Sequence, residues 1–228
     1  MLIDPVKNIP STDKIFVSIA CFCDPDVVDT VKDCFDKAGS PARVEIGVCL
    51  QATPNDTSYD ALNEVARVTV DRIDVTEARG PIYARARCEA LMTDADYFLQ
   101  IDCHSRFFPD WDEILLQEFA KASELNDNAV LSHYPINIKN MASSDHLDRI
   151  GHVNRYRYIE ADAIKSHGSL IKLPEVPATS LSISAAMLFM RAKDRRRFPY
   201  DPELDFGLHA AEQVLYAVRL WTHGFDIF

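Results

Sequence analysis

Tyr97-Phe98-Leu99-Gln100-Ile101-Asp102-Cys103-His104 is an apolar run that turns polar at its end. Residues 97–102 read as a buried β-strand, short and bounded by polar sequence. Side chains at i and i+2 of an extended segment share a face, so the carboxylate of Asp102 and the imidazole of His104 are expected to converge on one ion. In open α/β sheets, the space just beyond the carboxyl end of a strand is where ligands sit. An oxygen and nitrogen pair with open positions suits manganese or magnesium shared with a diphosphate, or zinc where a third protein ligand joins. The plainer alternative is an Asp that caps the following turn beside a partly exposed His.

Around this strand the chain alternates β-branched runs with helical patterns, the signature of βαβ units and a largely parallel sheet. Strands are expected over 15–20, 44–50, 68–75, 129–133 and 183–190. Helices are expected over 27–38, from Gly80-Pro81 to residue 92, over 111–125 and over 210–222, the last with Val214, Leu215, Val218 and Trp221 as its core face. Between 135 and 180 the periodicity weakens, which predicts a functional loop or lid. The whole chain, 1–228, reads as one α/β domain.

The chain has 228 residues with 24 Lys+Arg against 35 Asp+Glu, a formal net charge of -11. An acidic surface argues against a nucleic-acid partner, because neutralising phosphates needs basic charge. No apolar run approaches the ~18 residues of a membrane span, and the N-terminus lacks a secretory pattern, so the expected location is the cytoplasm. Six cysteines (Cys21, Cys23, Cys34, Cys49, Cys88, Cys103) lack the spacing of a zinc or disulfide framework and read mostly as buried thiols.

Two further segments carry candidate chemistry. Arg79-Gly80-Pro81-Ile82-Tyr83-Ala84-Arg85 sets basic residues at a helix start, where backbone amides favour an anion; a diphosphate could lie between it and the metal. The alternative for Arg85 is a salt bridge to a neighbouring carboxylate. Glu212, in the first turn of the last helix, is a candidate acid/base or hydroxyl-orienting group, or else a partner of the helix dipole. The basic run from Arg191 to Arg197 reads as a solvated turn or an acceptor or phosphate contact.

Taken in order, several motifs resemble the cytoplasmic hydroxyproline-type polypeptide N-acetylglucosaminyltransferases. They are Ile15-Phe16-Val17-Ser18-Ile19-Ala20 with Asp24-Pro25, Gly47-Val48-Cys49-Leu50-Gln51, Arg79-Gly80-Pro81 with Ala84-Arg85, and Tyr97 through His104 with Arg106-Phe107 and Trp111-Asp112-Glu113. Pro199-Tyr200-Asp201-Pro202 and Glu212 followed by Arg219-Leu220-Trp221-Thr222-His223-Gly224 continue the likeness. A more distant similarity to the polypeptide N-acetylgalactosaminyltransferases rests on the Asp-x-His, a Gly followed five residues on by Arg, and a Glu seven residues before Arg-x-Trp.

The resemblance implies a GT-A glycosyltransferase: a Rossmann-like, mostly parallel mixed sheet flanked by helices. It would bind a UDP-sugar, UDP-N-acetylglucosamine, and a divalent metal, manganese with magnesium the alternative. Transfer would retain configuration and go to a hydroxyl of a protein or glycan. Carried over, Asp102 and His104 are metal ligands, and Asp102 and Cys103 lie near the ribose and diphosphate. Gln51 lines the uridine pocket, Arg85 faces the nucleotide, and Glu212 lies on the acceptor and sugar side. Ala185-Ala186-Met187 stands where the families tend to have a Gly, so Ala186 narrows the donor-sugar pocket. Glu212-Gln213 replaces the usual Glu-Glu pair. The family's third metal ligand is a downstream His, and the sequence ends at Phe228 before it. Either His209, His223 or water completes the shell, or the sequence is truncated. Two rivals are a nucleotide-sugar binding module without turnover and a sugar nucleotidyltransferase. The second is disfavoured because Cys21-Phe22-Cys23-Asp24 lacks the Gly-rich basic loop such enzymes carry after their first strand.

Overall fold

The computed structural model describes residues 12–141, 148–158, 164–204 and 212–228. The chain runs through β1 (Ile15–Phe22), α1 (Asp26–Lys37), β2 (Val44–Ala52), β3 (Val68–Asp74), α2 (Pro81–Ala90), β4 (Tyr97–Asp102), α3 (Trp111–Leu125) and β5 (Ala129–Val130). It continues with β6 (Arg149–Tyr158), β7 (Ile164–Lys172), β8 (Met187–Arg191), α4 (Ala192–Arg197), α5 (Glu212–Trp221) and β9 (Asp226–Ile227). The central sheet has the order β3-β2-β1-β4-β8. Its first four strands are parallel, and β8 is antiparallel to β4. This is the mostly parallel mixed sheet that the alternating pattern predicts.

Strand alternation divides the core into two layers. Ile15, Val17 and Ile19 of β1 face α1 and α3, where they meet Val27, Val31, Trp111 and Phe119. Phe16 and Phe98 point the other way, toward Ile82 of α2 and Tyr216, Ala217 and Leu220 of α5. Both faces are covered, which is why β1 and β2 read as nearly continuous apolar runs. Gly80, at φ 90°, turns the chain into α2 in a conformation that side-chain-bearing residues avoid, and Pro81 follows as the first helical residue.

Four expectations need correction. The stretch 135–180 is not a lid without regular structure: it carries the antiparallel hairpin β6–β7, with a bulge between Val153 and Arg155. Its strands are polar and glycine-containing, so they give little hydrophobic periodicity, and backbone pairing supplies the order. Gly151 and Gly168 are required there because a Cβ at either would run into Tyr134. Next, the strand expected over 129–133 is two residues long, extended by a bridge between Leu131 and Phe189, and the strand expected to start at 183 starts at Met187. The expected start of the last helix, at 210, lies outside the described residues, and its core face is not the expected one: Leu215, Val218 and Trp221 are exposed, and α5 buries Glu212, Tyr216, Ala217 and Leu220 instead.

The basic run is the fourth. Instead of a solvated turn it forms α4, and Arg195 is fully buried. Its guanidinium pairs with Glu89 and lies 4.1 Å and 4.3 Å from the ring centroids of Tyr200 and Tyr216. Burial of a charge is tolerated only with such a partner. Arg195→Ala, which leaves Glu89 buried without a counter-charge, is expected to lower the unfolding free energy by about 3–5 kcal/mol. Urea denaturation checks this, and a loss below about 1 kcal/mol would mean that the pair behaves as a surface contact.

Candidate functional site at the strand ends

Parallel pairing of β1 with β4 sets Ala20 opposite Asp102, and pairing with β2 sets Phe22 opposite Gln51. Three strands therefore end on one rim. Beyond β1, Cys23 adopts φ 48°, and its N–H donates to the Gln51 carbonyl at 3.0 Å. That turn presents Asp24, which also receives the N–H of Asp26 at 3.0 Å at the entry to α1. Gln51 is buried; its amide donates to the Cys21 carbonyl at 3.2 Å, and its Oε1 has no partner among the described residues.

Beyond β4, Cys103 and His104 already belong to a turn. The Thr30 hydroxyl of α1 fixes that turn by donating to the Cys103 carbonyl at 2.7 Å. The alternation that would set Asp102 and His104 on one face thus stops at Asp102. Strand parity sends Asp102 toward α2, while Cys103 packs into the layer shared with α1.

Asp102 meets Arg85, which sits in the interior of α2 and is 6% exposed. Nη1 of Arg85 donates to the Ala185 carbonyl at 2.8 Å, Nη2 to Asp102 Oδ1 at 3.3 Å, and Nε lies 3.0 Å from Glu212 Oε1. Burial works against the guanidinium's charge; the carboxylates of Glu212 and Asp102 outweigh it and raise its pKa. Glu212 is 2% exposed, so it faces Arg85 from inside the protein. Gln100 shares the Ala185 carbonyl at 2.8 Å. The salt-bridge reading of Arg85 is thus the geometry seen, with two carboxylates.

A second group forms around His104. Its Nδ1 is 3.0 Å from Asp24 Oδ2 and 3.8 Å from Cys103 Sγ, and Cys103 Sγ is 3.6 Å from the same carboxylate oxygen. The contact with Asp24 raises the imidazole pKa. Burial pushes Asp24 up, and the bonds from His104 and Asp26 more than reverse this, leaving it lowered. Cys103 is raised, first by its hydrogen bond with Cys21 and then by burial. Asp24, Cys103 and His104 form the one cluster of three potential metal ligands among the described residues. A divalent ion fits this chemistry, and Asp102 is not among the three.

Asp102, His104, Arg106, His133, Ala186 and Met187 line a cleft of about 660 Å³. Phe107 and Trp111, with ring centroids 4.9 Å apart, also line it. Of the residues singled out by sequence, this cleft brings together Asp102, His104 and Ala186; Gln51, Arg85, Cys103 and Glu212 do not line it. His223 is elsewhere, with Nδ1 2.7 Å from the Arg219 carbonyl and its ring against Phe198. His209 lies outside the described residues. Sequence reasoning missed Asp24 as a candidate ligand, although the rule applied to β4, that ligands gather past strand ends, also covers the end of β1. It missed His133 as well: its Nδ1 is buried with no hydrogen-bond partner among the described residues, burial lowers its pKa, and nothing in Leu131-Ser132-His133 signals a role.

Among solved structures, GalNAc-T7 with UDP, GalNAc and Mn2+ superposes with TM-score 0.65 at 14% identity, over 94% of this chain and 41% of that one. S. aureus TarS 1-349 in complex with UDP-GlcNAc gives 0.56 at 12% identity, over 94% and 56%. The mannosyltransferase PcManGT from Pyrobaculum calidifontis with GDP-Man and Mn2+ gives 0.57 at 10%, over 95% and 54%. The chain spans roughly half the length of these proteins, with which it shares the GT-A fold. No curated protein matches it in sequence. The family profile described as Glycosyltransferase (GlcNAc) matches residues 14–65 and 59–228. On that match, which covers nearly every residue, the chain belongs to this glycosyltransferase family.

Proposed function

We propose that this chain, as a single GT-A domain, transfers N-acetylglucosamine with retention from UDP-N-acetylglucosamine to a hydroxyl of a protein or glycan acceptor. The observation that carries the reading is the opening of Asp102 and His104 into one cleft at the carboxyl end of β4. The family match and the nucleotide-sugar ligands of the structural neighbours support it. The resemblance to the cytoplasmic hydroxyproline-type polypeptide enzymes supplies the finer parts: the sugar, the protein acceptor and the cytoplasmic setting. Among the described residues no helix is long and apolar enough to cross a membrane.

Asp102 and His104 are the residues that would hold a divalent metal, manganese by the resemblance and magnesium as the alternative. Such an ion neutralises charge that develops on the β-phosphate as UDP departs. Arg85 orients Asp102 and offsets its charge from behind, so it acts on the donor through Asp102. Glu212, held against Arg85 Nε, is a positioning residue one step further back. Gln51 offers its unpartnered Oε1 at the end of β2 to the uridine side, and the backbone of Cys103 lies on the ribose side. Ala186 borders the donor sugar, where its methyl narrows the space. The acceptor hydroxyl would enter along Phe107 and Trp111 and attack the anomeric carbon. A second reading, a module that binds the nucleotide sugar without turnover, is favoured by the engagement of Asp102 with Arg85.

Calorimetry with UDP and UDP-N-acetylglucosamine, in manganese and in chelator, followed by an assay of released UDP, separates the two. Manganese-dependent binding with UDP release is expected; binding without release selects the second reading. Asp102→Ala is expected to abolish manganese-dependent UDP binding while the fold persists, since the side chain is partly exposed; unchanged affinity would overturn the metal role. Glu212→Gln removes a counter-charge from Arg85, which then draws harder on Asp102. Manganese-dependent UDP affinity is expected to fall at least ~10-fold, whereas a group acting only on the acceptor would leave it unchanged.

A further inference from the structure

The turn after β4 carries a thiol between Asp102 and His104, and the turn after β1 brings a carboxylate to it. We propose that Asp24 Oδ2, Cys103 Sγ and His104 Nδ1 form a binding site for a thiophilic divalent cation of the zinc class. This site is distinct from the Asp102 and His104 pair and shares only His104 with it.

Geometry carries the assignment. Zinc bonds of about 2.0–2.2 Å to nitrogen and oxygen and about 2.3 Å to sulfur, in a tetrahedron, set ligand-to-ligand edges near 3.4–3.6 Å. The three edges here are 3.0 Å for oxygen to nitrogen, 3.6 Å for oxygen to sulfur and 3.8 Å for sulfur to nitrogen. Each is within about 0.4 Å of the tetrahedral value, so a small movement of exposed side chains is enough. His104 and Asp24 keep 58% and 32% of their side chains exposed, which leaves an approach for the ion and an open fourth position. Cys103 is buried and provides the fixed corner.

The backbone on both sides is held in advance. Cys23 adopts a left-handed conformation that a β-carbon disfavours, and its N–H bond to Gln51 and the Cys21 Sγ contact with the Asp24 carbonyl at 3.2 Å keep it there. Strain over-determined in this way clusters at functional sites. On the other side, the Thr30 hydroxyl fixes the Cys103 carbonyl.

The donor set decides the class of ion. A sulfur, an imidazole nitrogen and one carboxylate oxygen suit zinc, whereas manganese and magnesium prefer oxygen-rich shells. Binding converts the Cys103 thiol to a metal-bound thiolate and releases its proton to solvent, as coordinating thiols do. Because His104 is shared, an ion here removes it from the Asp102 side, so a zinc-class ion is expected to inhibit any activity that uses the Asp102 and His104 pair.

Cobalt(II) titration of the whole chain tests the site without any enzyme assay. A near-ultraviolet thiolate-to-cobalt charge-transfer band is expected, and zinc should bleach it. Cys103→Ser, near-isosteric, should abolish the band. Asp24→Asn, which keeps an oxygen to receive the Asp26 N–H, should weaken cobalt binding more than ~10-fold. Cys21→Ser, Cys23→Ser and Asp102→Asn should all keep the band. Its absence from the unsubstituted chain, or its survival in folded Cys103→Ser, would overturn the proposal. The transferase reading fails separately: loss of manganese-dependent UDP binding from a chain that still shows the band would remove that reading and leave this site standing.

Discussion

A guanidinium shut away from water needs acceptors, and Arg85 gathers them from three other parts of the chain. Its own helix α2, the strand end at Asp102, the Ala185 carbonyl before β8 and the first residue of α5 all meet at this one group. In a low-dielectric interior these contacts are individually strong and collectively intolerant of displacement. The segments therefore hold their relative positions because the charge permits few others. The cleft inherits its shape from this constraint, since Asp102 and Ala186 sit on its wall and both adjoin atoms that Arg85 fixes.

Helix α2 carries a second such constraint one turn on. Glu89, four residues after Arg85 and hence on the same helix face, receives Arg195 of α4. Tyr200 stacks on Arg195 and adjoins both pairs, and burial first, then the charge of Glu212, push its phenol well above the usual range. The two pairs differ in one respect that separates structure from chemistry. Arg195 ends in aromatic rings and a buried carboxylate, so its charge is contained. Arg85 ends in Asp102, whose side chain is 36% exposed, so its field reaches the cleft. A third arginine, Arg87, grips Asp71 of β3 with Nη2 to Oδ1 at 2.7 Å and anchors the helix to the sheet edge.

The sequence made the parallel sheet legible because strands buried on both faces leave long β-branched runs, as in Ile15-Phe16-Val17-Ser18-Ile19. It made the rim legible because Asp102 interrupts such a run at its end. It hid the β6–β7 hairpin, whose strands hold together by backbone pairing and two glycines packed on Tyr134, neither of which has a hydrophobic period. It also hid the burial of Arg195, since a basic run is solvated unless distant residues supply Glu89 and two tyrosines. At the site, spacing alone was a poor guide: the i, i+2 rule needs an extended backbone, and β4 stops at Asp102. Asp24 was masked by its local setting, a turn in which its carboxylate receives the Asp26 N–H just before α1.

What remains is a competition for one imidazole. His104 faces the cleft with Asp102 yet rests against Asp24 and Cys103, and each neighbour set favours a different kind of ion. An oxygen-rich partner such as a diphosphate would add hard ligands on the Asp102 side, whereas the Cys103 thiolate adds a soft one on the other. Metal choice in such an arrangement follows from which ligands are present at the time, because intrinsic affinity runs toward the softer, later metals whatever the site. A bound nucleotide would then select its own cation. Without it, the thiol side holds the advantage, and residue 103, placed between Asp102 and His104 and pointing into the opposite layer, becomes the position that sets how strictly the rim depends on its donor.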